Sequence, residues 1–224
     1  MPDAVKPTRA YNSPRRREQA AATRRAILDS ALLLFERQGY AATTMDAIAA
    51  EAGVALKTVY VAFATKSGLL RALWDLLLKG DEDEAAVAQR AWYRELLEEP
   101  DPERQLRLTA RNSCIVKQRI GGILQIIRSA APVDPDGAAL WELIQSDFYD
   151  NQRAIVSVLH AKGALRPGLD VERATDILWT LNHPDVWLLL GVRRKWPAER
   201  FETWFADTVC AQLLARPGTG FTDR

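Results

Sequence analysis

The residues best placed to do chemistry in this chain are cations and hydrogen-bond donors grouped between positions 56 and 66. Leu56, Lys57, Tyr60 and Val61 recur at helical spacing, with Thr58 in the first turn, and make the outward face of a short helix. Lys57 has the reach to meet a guanine edge or a phosphate. Thr58 and Tyr60 can donate to phosphate oxygens, and Lys66 adds a cation at the start of the following helix. This is the chemistry of a helix that touches nucleic acid. Catalytic chemistry is poorly supplied by comparison. The two histidines, His160 and His183, fall on different expected helices, and there is no H-x-x-x-H, glycine-rich phosphate loop or nucleophile elbow. No clustered ligand set suggests a metal, so neither an enzyme, a cofactor nor a metal site is expected. Cys114 and Cys210 lack C-x-x-C spacing and read as buried structural thiols, with a thiol sensor as the alternative.

The elements that hold those donors are legible around them. Thr44 is a helix N-cap, and Met45 to Ala52 carries Ile48, Ala49 and Ala52 on one face. Gly53 stops the run, because glycine alone enters the left-handed region without strain. A second short helix from Leu56 to Phe63 turns Val59 and Phe63 inward. Small Ala49, then Gly53, then β-branched Val59 is the pattern of a helix-turn-helix, whose second helix lies in the DNA major groove. Before it, Arg17 to Gln38 reads as a long helix with an apolar stripe of Ile27, Leu28, Ala31, Leu32, Leu34 and Phe35, closed by Gly39. That helix completes a three-helix core, since two short helices bury too little surface alone.

Thr44, Ile48-Ala49, Gly53-Val54, Thr58-Val59-Tyr60, Phe63, Lys66 and Leu69-Leu70 follow one another in the order and spacing of the tetracycline-repressor (TetR) family, which the stretch from Arg17 to Leu78 resembles. Ala55 stands where many members carry a Ser or Thr cap, and Val61-Ala62 replace an aromatic residue or histidine. The resemblance implies an all-α homodimer with a DNA-binding head and a larger ligand-sensing body. It further implies that the helix from about Thr65 to Leu78 is the connector whose shift respaces two heads.

Charge agrees with a basic head. Residues 1–80 hold 12 Lys and Arg against 7 Asp and Glu, the remainder 18 against 22, so the near-neutral total conceals a positive N-terminal end. Residues 1–16 read as a disordered basic arm. Arg15, Arg16 and Arg17 either reach phosphates or a minor groove beside the head or belong to a solvated tail. Neither a membrane-spanning apolar run nor a signal-peptide core is evident, and a cytoplasmic protein without membrane partners is expected.

The body is expected to be helical throughout. The run Lys79 to Glu84 is a solvated junction and AWYRELL a candidate short helix. Asp101-Pro102 opens a helix to about Ala130, bent or broken at Gly121-Gly122, and Ala138 to Lys162 is the next. A helix from Asp170 towards Gly191, kinked at Pro184, and one from Pro197 to about Leu214 finish the chain. Leu178, Trp187, Phe201, Phe205, Val209 and Leu213 are among the large apolar residues on these last two, a surplus expected to form a dimer interface. Polar groups stranded among apolar ones suggest a pocket for a small aromatic or lipophilic ligand. Its candidates are Gln118, Trp141, Phe148, Tyr149, Trp179, Asn182, His183 and Trp187, with Arg119, Gln125 and Asp147 as further polar groups.

The expected whole is an all-α protein with an N-terminal three-helix head and a C-terminal helical ligand-sensing and dimerisation body. Its divisions are an arm at 1–16, a helix-turn-helix domain at 17–64, a body at 65–216 and a flexible tail at 217–224. Thr44, Leu56, Lys57, Thr58, Tyr60, Val61, Lys66 and Arg17 are the expected contacts to double-stranded operator DNA. A repressor released by a small molecule is the leading reading; a ligand-independent architectural DNA binder and a thiol-switched regulator are the alternatives.

Overall fold

The structure is a computed structural model that describes residues 14–80 and 90–215. The chain separates into two compact units, residues 1–72 and 73–224. Among the described residues the regular structure is helical apart from one isolated bridge, Leu165 to Leu214. The arm as far as residue 13, residues 81–84 of the acidic junction and the C-terminal tail lie outside the described residues.

In the first unit, α1 spans Pro14–Ala42, so Pro14 to Arg16 are helical where the sequence suggested arm. Gly39 interrupts it at φ 82° and ψ 163°, and only a short turn from Tyr40 to Ala42 follows. Ile27, Ala31 and Phe35 are fully buried on its inner face, and Tyr40 packs on Phe35 with ring centroids 5.3 Å apart. Helices α2 (Met45–Glu51) and α3 (Leu56–Phe63) add Ile48, Val59 and Phe63 to this core. Each such side chain contributes about 1.5–3 kcal/mol on full burial. Helix α4, Lys66–Lys79, starts in this unit and continues into the second. A Cβ on Gly68 would lie 2.3 Å from the Phe63 carbonyl oxygen, so glycine permits the close approach of α4 to the end of α3.

The second unit holds α5 (Ala91–Glu98), α6 (Pro102–Ala130), α7 (Pro135–Ala161), α8 (Val171–Leu181), α9 (Pro184–Trp187) and α10 (Ala198–Leu213). Asp101, Asp134 and Asp170 cap α6, α7 and α8, each accepting from a backbone N–H of the first turn, and proline opens α6 and α7. Helix α6 passes through Gly121-Gly122 unbroken. A Cβ at Gly121 would sit 3.8 Å from the Trp187 indole nitrogen, a place where absence of a side chain admits a neighbour.

One expectation needs correction here. The helix opened by Asp170 does not run to Gly191 with a kink. It ends at Leu181, Asn182 and His183 leave the helical path, and α9 leads into a π-helical turn, Leu188–Arg193. Pro184 supplies the reason: it cannot donate to the preceding turn, and it serves as the first residue of a new helix instead. The apolar residues of the last two helices divide into a buried set and a half-buried set. Leu178, Phe201, Phe205, Val209 and Leu213 are fully buried within the single chain, against Leu106, Ala110 and Cys114 of α6. Trp179, Leu181, Val186, Leu190 and Trp204 are only half-buried within the single chain. The large apolar side chains left exposed nearby are Leu189 and Val192, both in the π-helical turn.

Candidate nucleic-acid interface and a cavity in the second unit

Helix α3 is presented by a turn held by backbone hydrogen bonds. Thr44 accepts from the Ala47 N–H at 3.1 Å and starts α2. At the other end Gly53, at φ 66°, donates to Ala50, and Val54 donates to Ala49. Ala55 caps α3 without a side-chain bond, so the first N–H groups of that helix lack an internal side-chain partner. Such groups suit a phosphate. Val59 and Phe63 face inward, while Lys57, Tyr60 and Val61 are exposed, Val61 by 80 %. Leu56 and Thr58 are half-buried at the edge of the same face. An 80 % exposed valine beside a 48 % exposed tyrosine is an apolar-and-donor surface suited to base edges and thymine methyl groups. Arg17 is exposed on the first turns of α1.

Lys66 is placed differently from expectation. Its ammonium donates to the carbonyls of Tyr40 and Thr43, each at 2.9 Å, and lies 4.3 Å above the Tyr40 ring. It therefore joins the start of α4 to the segment between α1 and α2. Arg24 acts in a similar way, donating to the Ala62 carbonyl at 3.0 Å with its guanidinium 4.2 Å over the Phe63 ring. Arg24 thus ties α1 to the end of α3, while Lys66 ties the start of α4 to the end of α1. Lys66→Met is expected to destabilise the chain by about 2–3 kcal/mol in urea denaturation, because two charge-assisted bonds and a cation–π contact are lost. Unchanged stability with weakened DNA binding would instead return Lys66 to the phosphate role.

The second unit encloses a cavity of about 150 Å³. Its walls come from Trp74 and Leu78 of α4, Trp92, Tyr93 and Leu96 of α5, and Ile120 and Leu124 of α6, with Ile144, Phe148 and Ile155 of α7 and Pro184. The polar members include Lys117, Gln152 and Asn182, all buried. Lys117 donates to Asn182 Oδ1, Asn182 Nδ2 donates to Gln152 Oε1 at 3.0 Å, and Gln152 Nε2 donates to the Phe148 carbonyl at 3.3 Å. The Lys117 ammonium lies 5.7 Å and 5.3 Å from the ring centroids of Phe201 and Phe205. Burial pushes its pKa down to about 7.

Of the eight pocket candidates, Phe148 and Asn182 line this cavity, and so does Asp147 from the wider set. The others lie elsewhere. Gln118 is exposed and donates to Cys114 Sγ, and Gln125 is exposed. Trp141 is half-buried with Arg128 5.9 Å away, and Tyr149 donates to Asp176 at 3.3 Å. Trp179 packs edge-on between Tyr149 and His183, its buried indole N–H without a hydrogen-bond partner among the described residues. His183 accepts from the Asp185 N–H through Nδ1, caps α9 and sits 3.3 Å from Gln145; burial lowers its pKa, which keeps Nδ1 an acceptor. Trp187 is a core residue, 5.0 Å from Phe201, and Arg119 donates to the last carbonyls of α4. Sequence reasoning missed Lys117 and Gln152. The signal was present: Ala110, Cys114, Lys117, Ile120 and Leu124 form one i, i+3, i+4, i+7 stripe, and the lysine lies on it.

Among the described residues no group of three or more His, Cys, Asp or Glu side chains could hold a metal ion, and no helix is long and apolar enough to cross a membrane.

A short, exposed second helix seated on a three-helix core by a glycine turn defines a helix-turn-helix DNA-binding protein. Residues 27–73 match the family described as bacterial regulatory proteins, tetR family, which supports a TetR-family transcriptional regulator. The chain is 29 % identical over 197 residues to the probable HTH-type transcriptional regulator ArpR of Pseudomonas putida, covering 81 % of this chain and 91 % of that one. The fold resembles that of SmeT in its triclosan complex, with a TM-score of 0.69 at 22 % identity over 88 % of this chain and 93 % of that one. It also resembles NalD, the secondary repressor of the MexAB-OprM multidrug efflux pump in Pseudomonas aeruginosa, with a TM-score of 0.64 at 20 % identity over 87 % and 98 % of the two chains.

Proposed function

We propose that this DNA-binding regulator is a repressor that leaves its operator when a small ring-bearing molecule occupies the cavity of the second unit. The observation that carries the ligand is the cavity itself, about 150 Å³ with mostly aromatic and aliphatic walls and a few convergent polar groups. The triclosan complex of SmeT and the efflux-pump repression by NalD support the same reading by likeness. Two copies place two α3 helices in successive major grooves of a near-palindromic operator, with Arg17, Thr44, Leu56, Lys57, Thr58, Tyr60 and Val61 as the contacting residues. The regulator then acts where the chromosome lies, in the cytoplasm. Pairing through the C-terminal helices uses the exposed Leu189 and Val192 rather than the buried apolar set. The ligand must prefer the released state by a few kcal/mol to shift operator occupancy substantially.

A thiol switch finds little support. Cys114 is buried and its thiol sits opposite the Ala198 carbonyl, and burial pushes Cys210 up to about 11, so thiolate is scarce at neutral pH.

The test is fluorescence anisotropy with DNA flanking the chain's own gene against random DNA of equal length, at two salt concentrations. Selective binding with two chains or more per site, reversed by a ring-bearing compound, is the expected result. Equal binding to both DNAs that disappears at higher salt marks an architectural binder instead.

A further inference from the structure

Lys117 presents an unusual electrostatic situation. It is 4 % exposed, it borders the cavity, and among the described residues no carboxylate pairs with it. Its one hydrogen-bond acceptor is the amide oxygen of Asn182, a neutral group whose own N–H is already given to Gln152. Phe201 and Phe205 offer ring faces nearby, which attract a cation but do not neutralise it. Asp147 borders the same cavity, yet its side chain is exposed and makes no ion pair with Lys117. A buried ammonium without a counter-ion is costly, and it is relieved either by loss of its proton or by an anion at hydrogen-bonding distance.

The rest of the cavity describes the remainder of such an anion. Trp74, Trp92, Phe148, Ile120 and Leu124 provide flat and branched apolar surface. A volume near 150 Å³ lined by apolar groups admits a molecule the size of benzene. A cationic ligand would meet like charge from Lys117, and a purely apolar one would leave the ammonium as poorly compensated as before.

Resting on the reading of this cavity as the ligand site, we propose that its occupant is a small aromatic acid whose oxyanion becomes the counter-ion of Lys117, with the ring between the tryptophans and Phe148. Burial lowers the Lys117 pKa to about 7, and an anion at hydrogen-bonding distance would raise it again. On binding, the acid's oxyanion accepts from the ammonium while the Lys117–Asn182–Gln152 chain keeps its remaining bonds.

The experiment uses three probes of similar size, namely benzoate, benzamide and benzyltrimethylammonium. Binding to the full chain without DNA is followed by tryptophan fluorescence, which Trp74 and Trp92 make responsive, and by titration calorimetry. Benzoate is expected to bind at least about tenfold more tightly than benzamide, the scale of one charge-assisted hydrogen bond, and the cation not at all. In Lys117→Met the preference for benzoate is expected to vanish or reverse while benzamide still binds. Equal affinities in the unmodified chain, failure of benzoate to bind up to its solubility, or a preference that survives Lys117→Met each overturns the proposal. The unmodified chain alone decides the first two, so an unfolded variant does not spare it. Benzoate that binds selectively but leaves an operator complex intact removes the release step proposed above and leaves the acid site standing.

Discussion

Replacing Lys117 with methionine is expected to stabilise the unliganded chain at neutral pH, and the gain is expected to fade as the pH rises. The folded-state pKa is about 7 and the unfolded value about 10.5. Below pH 7 both states hold the proton, and the folded state bears the whole cost of a buried charge. Between pH 7 and 10.5 the unfolded chain binds more protons than the folded one, so the stability of the lysine form rises with pH through that window. Methionine removes the charge, fills similar volume and can pack against Phe201 and Phe205. Against this stands the lost charge-assisted bond to Asn182, worth about 1.5–3 kcal/mol. The net gain should be on the order of 2–3 kcal/mol at pH 6.5, or roughly 5–10 °C in melting temperature. Denaturation of both forms from pH 6.5 to 9.5 decides it. A destabilised methionine form, or a difference that does not change with pH, would mean that Lys117 is not a buried, unpaired cation.

The second large effect is on DNA. Lys57 lies on the exposed face of α3, and among the described residues it takes part in no ion pair or hydrogen bond. Lys57→Glu should therefore leave folding stability within about 0.5 kcal/mol. Operator affinity should fall at least about 100-fold at physiological salt, because a base or phosphate contact is lost and a carboxylate is set against the backbone. The salt dependence of what binding remains should weaken by about one released counterion. Anisotropy titrations at three salt concentrations, paired with thermal melts, separate this from unfolding. Unchanged affinity would displace α3 from the groove and with it the assignment of Leu56, Thr58, Tyr60 and Val61.

The head was legible because its signals are local. Thr44 caps the helix that follows it at once, and Gly53 ends that helix by its own backbone conformation, so α2 and α3 stand within a residue of where periodicity placed them. Lys66 was not legible in the same way. Its partners are carbonyls 23 and 26 residues away, and only the closed core brings them to it. Lys117 was overlooked although its position on the α6 stripe pointed inward. Pattern was the better guide there than residue type. Tryptophans misled in the opposite sense. Trp187 looked like a ligand contact and is core, while Trp74 and Trp92, which do line the cavity, belong to α4 and α5, where no ligand contact was expected.

The π-helical turn at Leu188–Arg193 has a consequence for the length of this chain. A wide turn of this kind holds one residue more than an ordinary helical turn between the same two ends. The segment stores that extra residue as slack, with the Gly191 backbone lying against the Trp187 indole, where a Cβ would come within 2.9 Å of the ring. Deleting one residue here converts the wide turn to a regular one and leaves the entry to α10 in register. The same deletion inside α6 would rotate every later side chain by about 100° and empty the core. Single-residue length variation among functional descendants of this sequence should therefore gather at 188–193 and be rare in α6.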